Sequence, residues 1–289
     1  MNDRITPRRS VLYMPGANDR ALEKAKTLPT DALILDLEDS VAPDAKADAR
    51  KRVAEAAASG EYGYREVTVR VNAPGTPWYA DDVKAAAEAA PDAVVVPKVD
   101  SPETVREVEE ALVRAGAPDR TAIWAMIETP RAVFAAAAIA AASPRLTVLV
   151  MGTNDLAKEL RAEHVPGRAP LLTGLSLALL AARASGKAVL DGVYNDVRDL
   201  PGFEAETRQA RQLGFDGKTL IHPTQLEPCN RIFAPAQEEI DRSRRIVEAF
   251  EEATSQGRGV VTVDGRMIEN LHVEEARRVL ALAEAVAGR

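Results

Sequence analysis

The sequence predicts an α/β fold: a (β/α)8 TIM barrel followed by a C-terminal helical and hairpin extension. Three observations lead there. Short runs rich in Val, Ile and Leu alternate with longer Ala- and charge-rich stretches. The runs start roughly 20 to 40 residues apart, room for one strand, one helix and two loops. Most are continuously apolar (ALILDL, AVVVP, TVLVM), the pattern of strands covered on both faces in a parallel sheet. Eight such runs within about 230 residues fit a closed barrel better than an open doubly wound sheet. A dinucleotide fold loses its main support because MPGAND, after the first run, does not fit G-x-G-x-x-G.

In chain order the strands fall at residues 10–14, 32–37, 67–71, 93–97, 122–127, 146–151, 187–193 and 218–221. Between them, 44–58 (AKADARKRVAEAAA), 102–115 (PETVREVEEALVRA) and 130–142 are rich in helix formers. Ser101 before Pro102 reads as an N-cap followed by proline at the first helical position. After Phe233 the style changes. Residues 235–256 form a charged amphipathic helix, GVVTVDGRMIE reads as a hairpin turning at Asp264-Gly265, and 273–287 is a last helix. The expected organisation is a barrel over 1–233 and an extension over 234–289, which either packs on its own barrel or contributes to a neighbouring subunit.

Composition narrows the function classes. With 46% hydrophobic and 28% charged residues, the 289-residue chain suits one large globular domain with an extension. Acids outnumber bases 44 to 37, a net charge of −7, which argues against nucleic acid as a partner. Cys229 is the single cysteine, so no internal disulfide or thiolate metal cluster forms, and a reducing, cytoplasmic setting is expected. The opening MNDRITPRRS meets only VLYM before Pro15 and Gly16, too short for a signal peptide or membrane span.

Barrel enzymes carry their chemistry at the C-terminal ends of the strands. Here those ends offer Asp36, Glu38 and Asp39; Arg70 and Asn72; Lys98; Glu128; Asn154 and Asp155; Asp191 and Asn195; and His222. Oxygen donors with little histidine favour magnesium over zinc, and magnesium commonly takes one or two carboxylates plus waters. Glu128 and Asp155, after neighbouring strands, suit that role. A single acid there would as readily cap a helix or pair with a lysine; four at successive strand ends favour the metal. Arg70 either clamps a substrate carboxylate or pairs with Glu38 for structure. His222 is a candidate acid or base, although a histidine beside a proline is more often structural. Lys98 reads as structural beside an acid, Cys229 as inert, and Trp78 and Trp124 as packing. Residues 1–30 hold Arg4, Arg8, Arg9, Arg20, Lys24 and Lys26 against Asp3, Asp19 and Glu23. That excess either receives a phosphorylated ligand or is a solvated face.

The same strand ends carry a resemblance. RRSVLYMPGANDRALEKA, ALILDLEDSV, VRVN, VVVPKV, WAMIETP, MGTNDLAKEL and GFDGKTLIHPTQLE resemble the citrate lyase β-subunit and malyl-CoA lyase family, the HpcH/HpaI-like proteins, from Arg8 to the C-terminus. GTNDLAKEL, DGVYN, GFDGKTLIHP and VDGRMIENLH are most similar to its (3S)-malyl-CoA thioesterase branch. The resemblance implies a (β/α)8 barrel, Mg²⁺ (with Mn²⁺ as an alternative) and a small-molecule acyl-CoA substrate carrying coenzyme A. It implies Glu128 and Asp155 as metal ligands, Arg70 orienting the oxo or carboxylate group, and Asp36 and Glu38 supporting the metal waters. Arg20 and Lys24 fall where the family places bases near the CoA phosphates. It further implies a homotrimer or homohexamer whose C-terminal segment covers a neighbour's site.

Related lyases carry Met-Ile-Asp in that segment, where this chain has Met267-Ile268-Glu269. Glu269 is the corresponding candidate catalytic acid, one methylene longer. The activity expected first is retro-Claisen cleavage of a 3-hydroxyacyl-CoA such as (S)-malyl-CoA or citramalyl-CoA to acetyl-CoA and a 2-oxo acid. The alternatives are hydrolysis of (3S)-malyl-CoA to malate and CoA, and a citrate lyase β-type subunit acting on a carrier-bound citryl thioester.

Overall fold

The computed structural model describes residues 5–289, so Asp3 and Arg4 of the basic N-terminal group lie outside the described residues. The chain divides into two compact units. The larger, Arg8–Asn230, begins with β1 (Ser10–Pro15), α1 (Asp19–Ala25), β2 (Ala32–Asp36), α2 (Lys46–Ala58), β3 (Glu66–Arg70), α3 (Tyr79–Ala89), β4 (Ala93–Val96) and α4 (Pro102–Arg114). It continues with β5 (Ala122–Ile127), α5 (Pro130–Ala140), β6 (Leu146–Met151), α6 (Thr153–Leu160), α7 (Leu172–Ala184), β7 (Ala188–Asp191), α8 (Leu200–Leu213) and β8 (Gly217–Leu220). The eight strands pair in parallel in sequence order, and β8 returns to β1 to close the barrel.

The expected strands all form, with ends shifted by a residue or two. The seventh loses most, ending at Asp191 because Gly192 and Val193 turn into the mouth loop. Helix starts follow their caps: Ser101 accepts from the Thr104 amide, Thr129 from Ala132 and Asp199 from Gly202, each with a proline in the first turn. An added helix, α6, fills the loop after β6 before α7 resumes the alternation.

Strand residues alternate between the barrel interior and the helix layer. Val11, Ile34, Val95, Trp124, Val148 and Leu190 form the inner core. Near the strand starts, Arg8 pairs with Glu66 at 2.6 Å and Arg9 with Asp31 at 2.8 Å. One period further along, the inward positions become polar, which places the chemistry at the C-terminal mouth.

The boundary between the units falls within α9 (Leu226–Phe233). The smaller unit holds α10 (Gln237–Ser255), a hairpin of β9 (Val261–Val263) and β10 (Arg266–Ile268), and α11 (Asn270–Ala287). Ile246, Ile268, Val273 and Ala276 form its core. Asp264 and Gly265 both take positive φ (48° and 73°), as a two-residue hairpin turn requires. Among the described residues no helix is long and apolar enough to cross a membrane.

Candidate active site

A cavity of about 380 Å³ opens at the C-terminal end of the barrel. Its lining comprises Tyr13 and Pro15 of β1, Asp36 of β2 with Asp39 and Ser40 beyond it, Arg70 of β3, Met126 and Glu128 at the end of β5, and residues 151–155 at the end of β6. Val193, Thr219 and Ile221 complete it. The elements after successive strands therefore converge here, as a closed barrel dictates.

Glu128 is buried with 2% side-chain exposure, whereas Asp155, in the first turn of α6, is 31% exposed. Both face one cation. The Lys98 ammonium stands 3.1 Å from Asp155 Oδ2 and 3.6 Å from Glu128 Oε1. Lys98 sits at φ 55°, a left-handed conformation unusual for lysine, and its backbone amide donates to Glu128 Oε1 at 2.7 Å. Burial and the Asp155 charge push the Glu128 carboxyl above its ordinary value, despite Lys98. Burial opposes the charge on Lys98, but Glu128 and Asp155 outweigh it and hold the ammonium above its usual range.

Gly152 makes this arrangement possible. A Cβ there would lie 2.4 Å from both Cβ and Oε2 of Glu128. Two carboxylates already sharing a positive charge, at the rim of a cavity, are a donor set that fits a hard cation. No group of three or more His, Cys, Asp or Glu side chains gathers for a metal among the described residues. A magnesium ion held here would complete its shell with water and ligand oxygens.

On the facing side Arg70 forms a buried fork with Asp36: Nε to Oδ1 and Nη2 to Oδ2, both 2.7 Å. Its Nη1 lies 2.7 Å from Glu38 Oε2 and 3.5 Å from Asp39 Oδ2. Asp36 also accepts the amides of Glu38 (2.9 Å) and Ser40 (3.1 Å). Burial pushes the Asp36 carboxyl up, but Arg70 and those donors outweigh it and hold it below the usual carboxylate range. Glu38 goes the other way. Burial, with the charges of Asp39, Glu128 and Asp36, overrides Arg70 and pushes it up to about 7.

Other sequence candidates are placed less centrally. Asp191 turns away from the mouth. Its neighbour Leu190 faces the interior, so Asp191 points into the helix layer, where Lys218 (2.6 Å) and Arg168 (2.7 Å) hold it fully buried. Asn154 and Asn195 exchange amide hydrogen bonds at 3.1 and 2.8 Å. His222 caps a short 3₁₀ turn by accepting from the Thr224 amide. Cys229 is buried, its thiol pushed up by burial and donating to the Arg9 carbonyl. Arg20 and Lys24 are exposed one turn apart on α1, without ion pairs to described side chains. Glu269 is exposed before α11, and its amide donates to His272 Nδ1 at 3.1 Å.

Tyr13 and Gly152 do not stand out in the sequence, whereas Lys98 lies beside acids as expected. A phenol at an inward strand position and a glycine directly after an apolar strand were the available signals. Nothing local announces that Lys98 bridges acids from two other strands.

The HpcH/HpaI aldolase/citrate lyase family model matches residues 9–223. The chain is 51% identical to the (3S)-malyl-CoA thioesterase of Cereibacter sphaeroides, over 97% of this chain and 96% of that protein. It is 39% identical to the citrate lyase subunit beta of Escherichia coli, over 96% and 93%. The crystal structure of protein CitE from Mycobacterium tuberculosis, in complex with magnesium, acetoacetate and coenzyme A, superposes with a TM-score of 0.78. It is 31% identical, with 96% of this chain and 98% of that one covered. On this similarity, carried along nearly the whole chain, the protein belongs to the HpcH/HpaI aldolase/citrate lyase family.

Proposed function

We propose that this chain is a magnesium-dependent enzyme of CoA thioesters that hydrolyses (3S)-malyl-CoA to malate and CoA. The observation that carries the reading is the convergence of Glu128 and Asp155 on one cation at the barrel mouth. It occurs in a chain 51% identical to a (3S)-malyl-CoA thioesterase. When bound, magnesium polarises a ligand oxygen and stabilises the negative charge that develops on it.

The chain's own residues supply the rest. Glu128 and Asp155 hold the ion, and Gly152 leaves room for the Glu128 carboxylate. Asp36 and Glu38 fix Arg70, whose positive charge offsets charge on the substrate's oxo or carboxylate group, and the same two acids accept from water in the mouth. Arg20 and Lys24 attract the CoA phosphates. Glu269, from the C-terminal unit of a second chain in a homotrimer or homohexamer, is the acid that moves a proton at the reacting carbon or water.

Carbon–carbon cleavage is the second reading, favoured by the 39% identity to a citrate lyase β subunit. There the C2–C3 bond of a malyl-type thioester breaks, glyoxylate leaves, and a proton is returned to the acetyl-CoA enolate. A β-type subunit working on a carrier-bound thioester belongs with it. One experiment separates them. Purified protein with Mg²⁺ is given (S)-malyl-, citramalyl- and citryl-CoA and a carrier-bound citryl thioester while free thiol and, by phenylhydrazine, 2-oxo acid are followed. Thiol without glyoxylate from malyl-CoA is expected. Glyoxylate without thiol establishes cleavage instead, and turnover confined to carrier-bound thioesters establishes the subunit reading.

A further inference from the structure

Tyr13 lies at the inward face of β1, in the cavity lining, with its ring beneath Arg70. The guanidinium carbon is 4.8 Å from the ring centroid. The hydroxyl's partner among the described residues is the Met126 thioether at 4.0 Å, a weak acceptor at the limit of hydrogen bonding.

The neighbouring donors on β3 and β8 are already engaged. Arg70 spends Nε and Nη2 on Asp36 and Nη1 on Glu38 and Asp39, which leaves a single Nη2 hydrogen for anything else. Thr219 gives its hydroxyl to the Asp191 carbonyl at 3.1 Å. Tyr13 is half-buried and lines the cavity, so its weakly engaged hydroxyl is open to an acceptor that enters there. Burial, reinforced by Asp36, Glu128 and Glu38 against Arg70, pushes the phenol well above its ordinary value, so it stays a neutral donor. The surrounding wall carries the acids Asp36, Asp39, Glu128 and Asp155. A carboxylate entering it gains from a neutral donor that brings no further negative charge.

We propose that the Tyr13 hydroxyl sets acyl-chain specificity by donating a hydrogen bond to the terminal carboxylate of the bound acyl group. Thioesters of dicarboxylic acids are thereby selected over those whose chain ends in methyl. This rests on the thioester reading above.

The test compares wild type with Tyr13→Phe, which keeps the ring beneath Arg70. Binding of succinyl-CoA and butyryl-CoA, four-carbon probes that differ at the chain end, is measured by titration calorimetry with Mg²⁺. The phenylalanine variant is expected to weaken succinyl-CoA about tenfold while leaving butyryl-CoA and the unfolding midpoint unchanged. Equal weakening of both probes, or unchanged succinyl-CoA affinity, overturns the assignment to Tyr13 and leaves the thioester reading standing. Failure of the wild type to bind either probe instead overturns the thioester reading, and this proposal with it.

Discussion

Glu128 and Gly152 are a matched pair, since the acid occupies the space that any side chain at 152 would need. Gly152→Ala is therefore expected to displace the carboxylate, lowering turnover about a hundredfold and stability by about 1–3 kcal/mol. Steady-state rates and denaturant unfolding check both. Glu38 gives a pH signature. Its carboxyl is pushed up to about 7, so in the unfolded chain it ionises first and the folded state holds the extra proton. The native state therefore loses stability as pH rises from the ordinary glutamate range through about 7. Glu38→Gln removes that loss, and its unfolding midpoint relative to wild type is expected to climb between about pH 5 and about pH 8. A constant offset would contradict the assignment. Acids at strand ends were legible as residue types, because few other roles explain charge directly after an apolar strand. Their partners were not. The Arg70 fork onto Asp36 depends on the register between β2 and β3, which pairs those two residues side by side.

At the scale of elements, alternation decides which polar residues reach the mouth. Asp191 and Lys218 are register partners on β7 and β8 and face the helix layer together, joined there by Arg168 and by Glu206 of α8. Burial opposes the Asp191 charge, yet Lys218 and Arg168 outweigh it and hold the carboxyl below its usual range. Lys218→Met leaves Asp191 and Glu206 to share Arg168 alone and is expected to cost about 3–5 kcal/mol, measured by chemical unfolding. The strands were readable from their apolar runs, but which face each polar residue takes is set by closure of the barrel. The turn at Asp264-Gly265 was readable because it needs two positive φ values, which that pair adopts readily. The start of the last helix was not. α11 begins at Asn270, three residues before the expected position, since Asn, Leu and His carry no proline or glycine to mark it.

For the whole molecule, the (β/α)8 architecture was legible because eight runs of one kind at regular spacing leave few alternatives. The role of the extension was not, since periodicity says nothing about which chain a helix pair serves. If Glu269 acts in a neighbour's mouth, mixing Glu269→Gln with Glu128→Gln chains under subunit exchange should recover activity that neither variant has alone. Absence of recovery in confirmed hybrids would place each acid in its own chain's site. The most direct test of the central claim is the magnesium isotherm itself. Titration calorimetry of the wild type is expected to show one Mg²⁺ bound per chain. Binding should be lost in Glu128→Gln with Asp155→Asn, while the unfolding transition remains cooperative. An unchanged isotherm in that double variant would contradict the account.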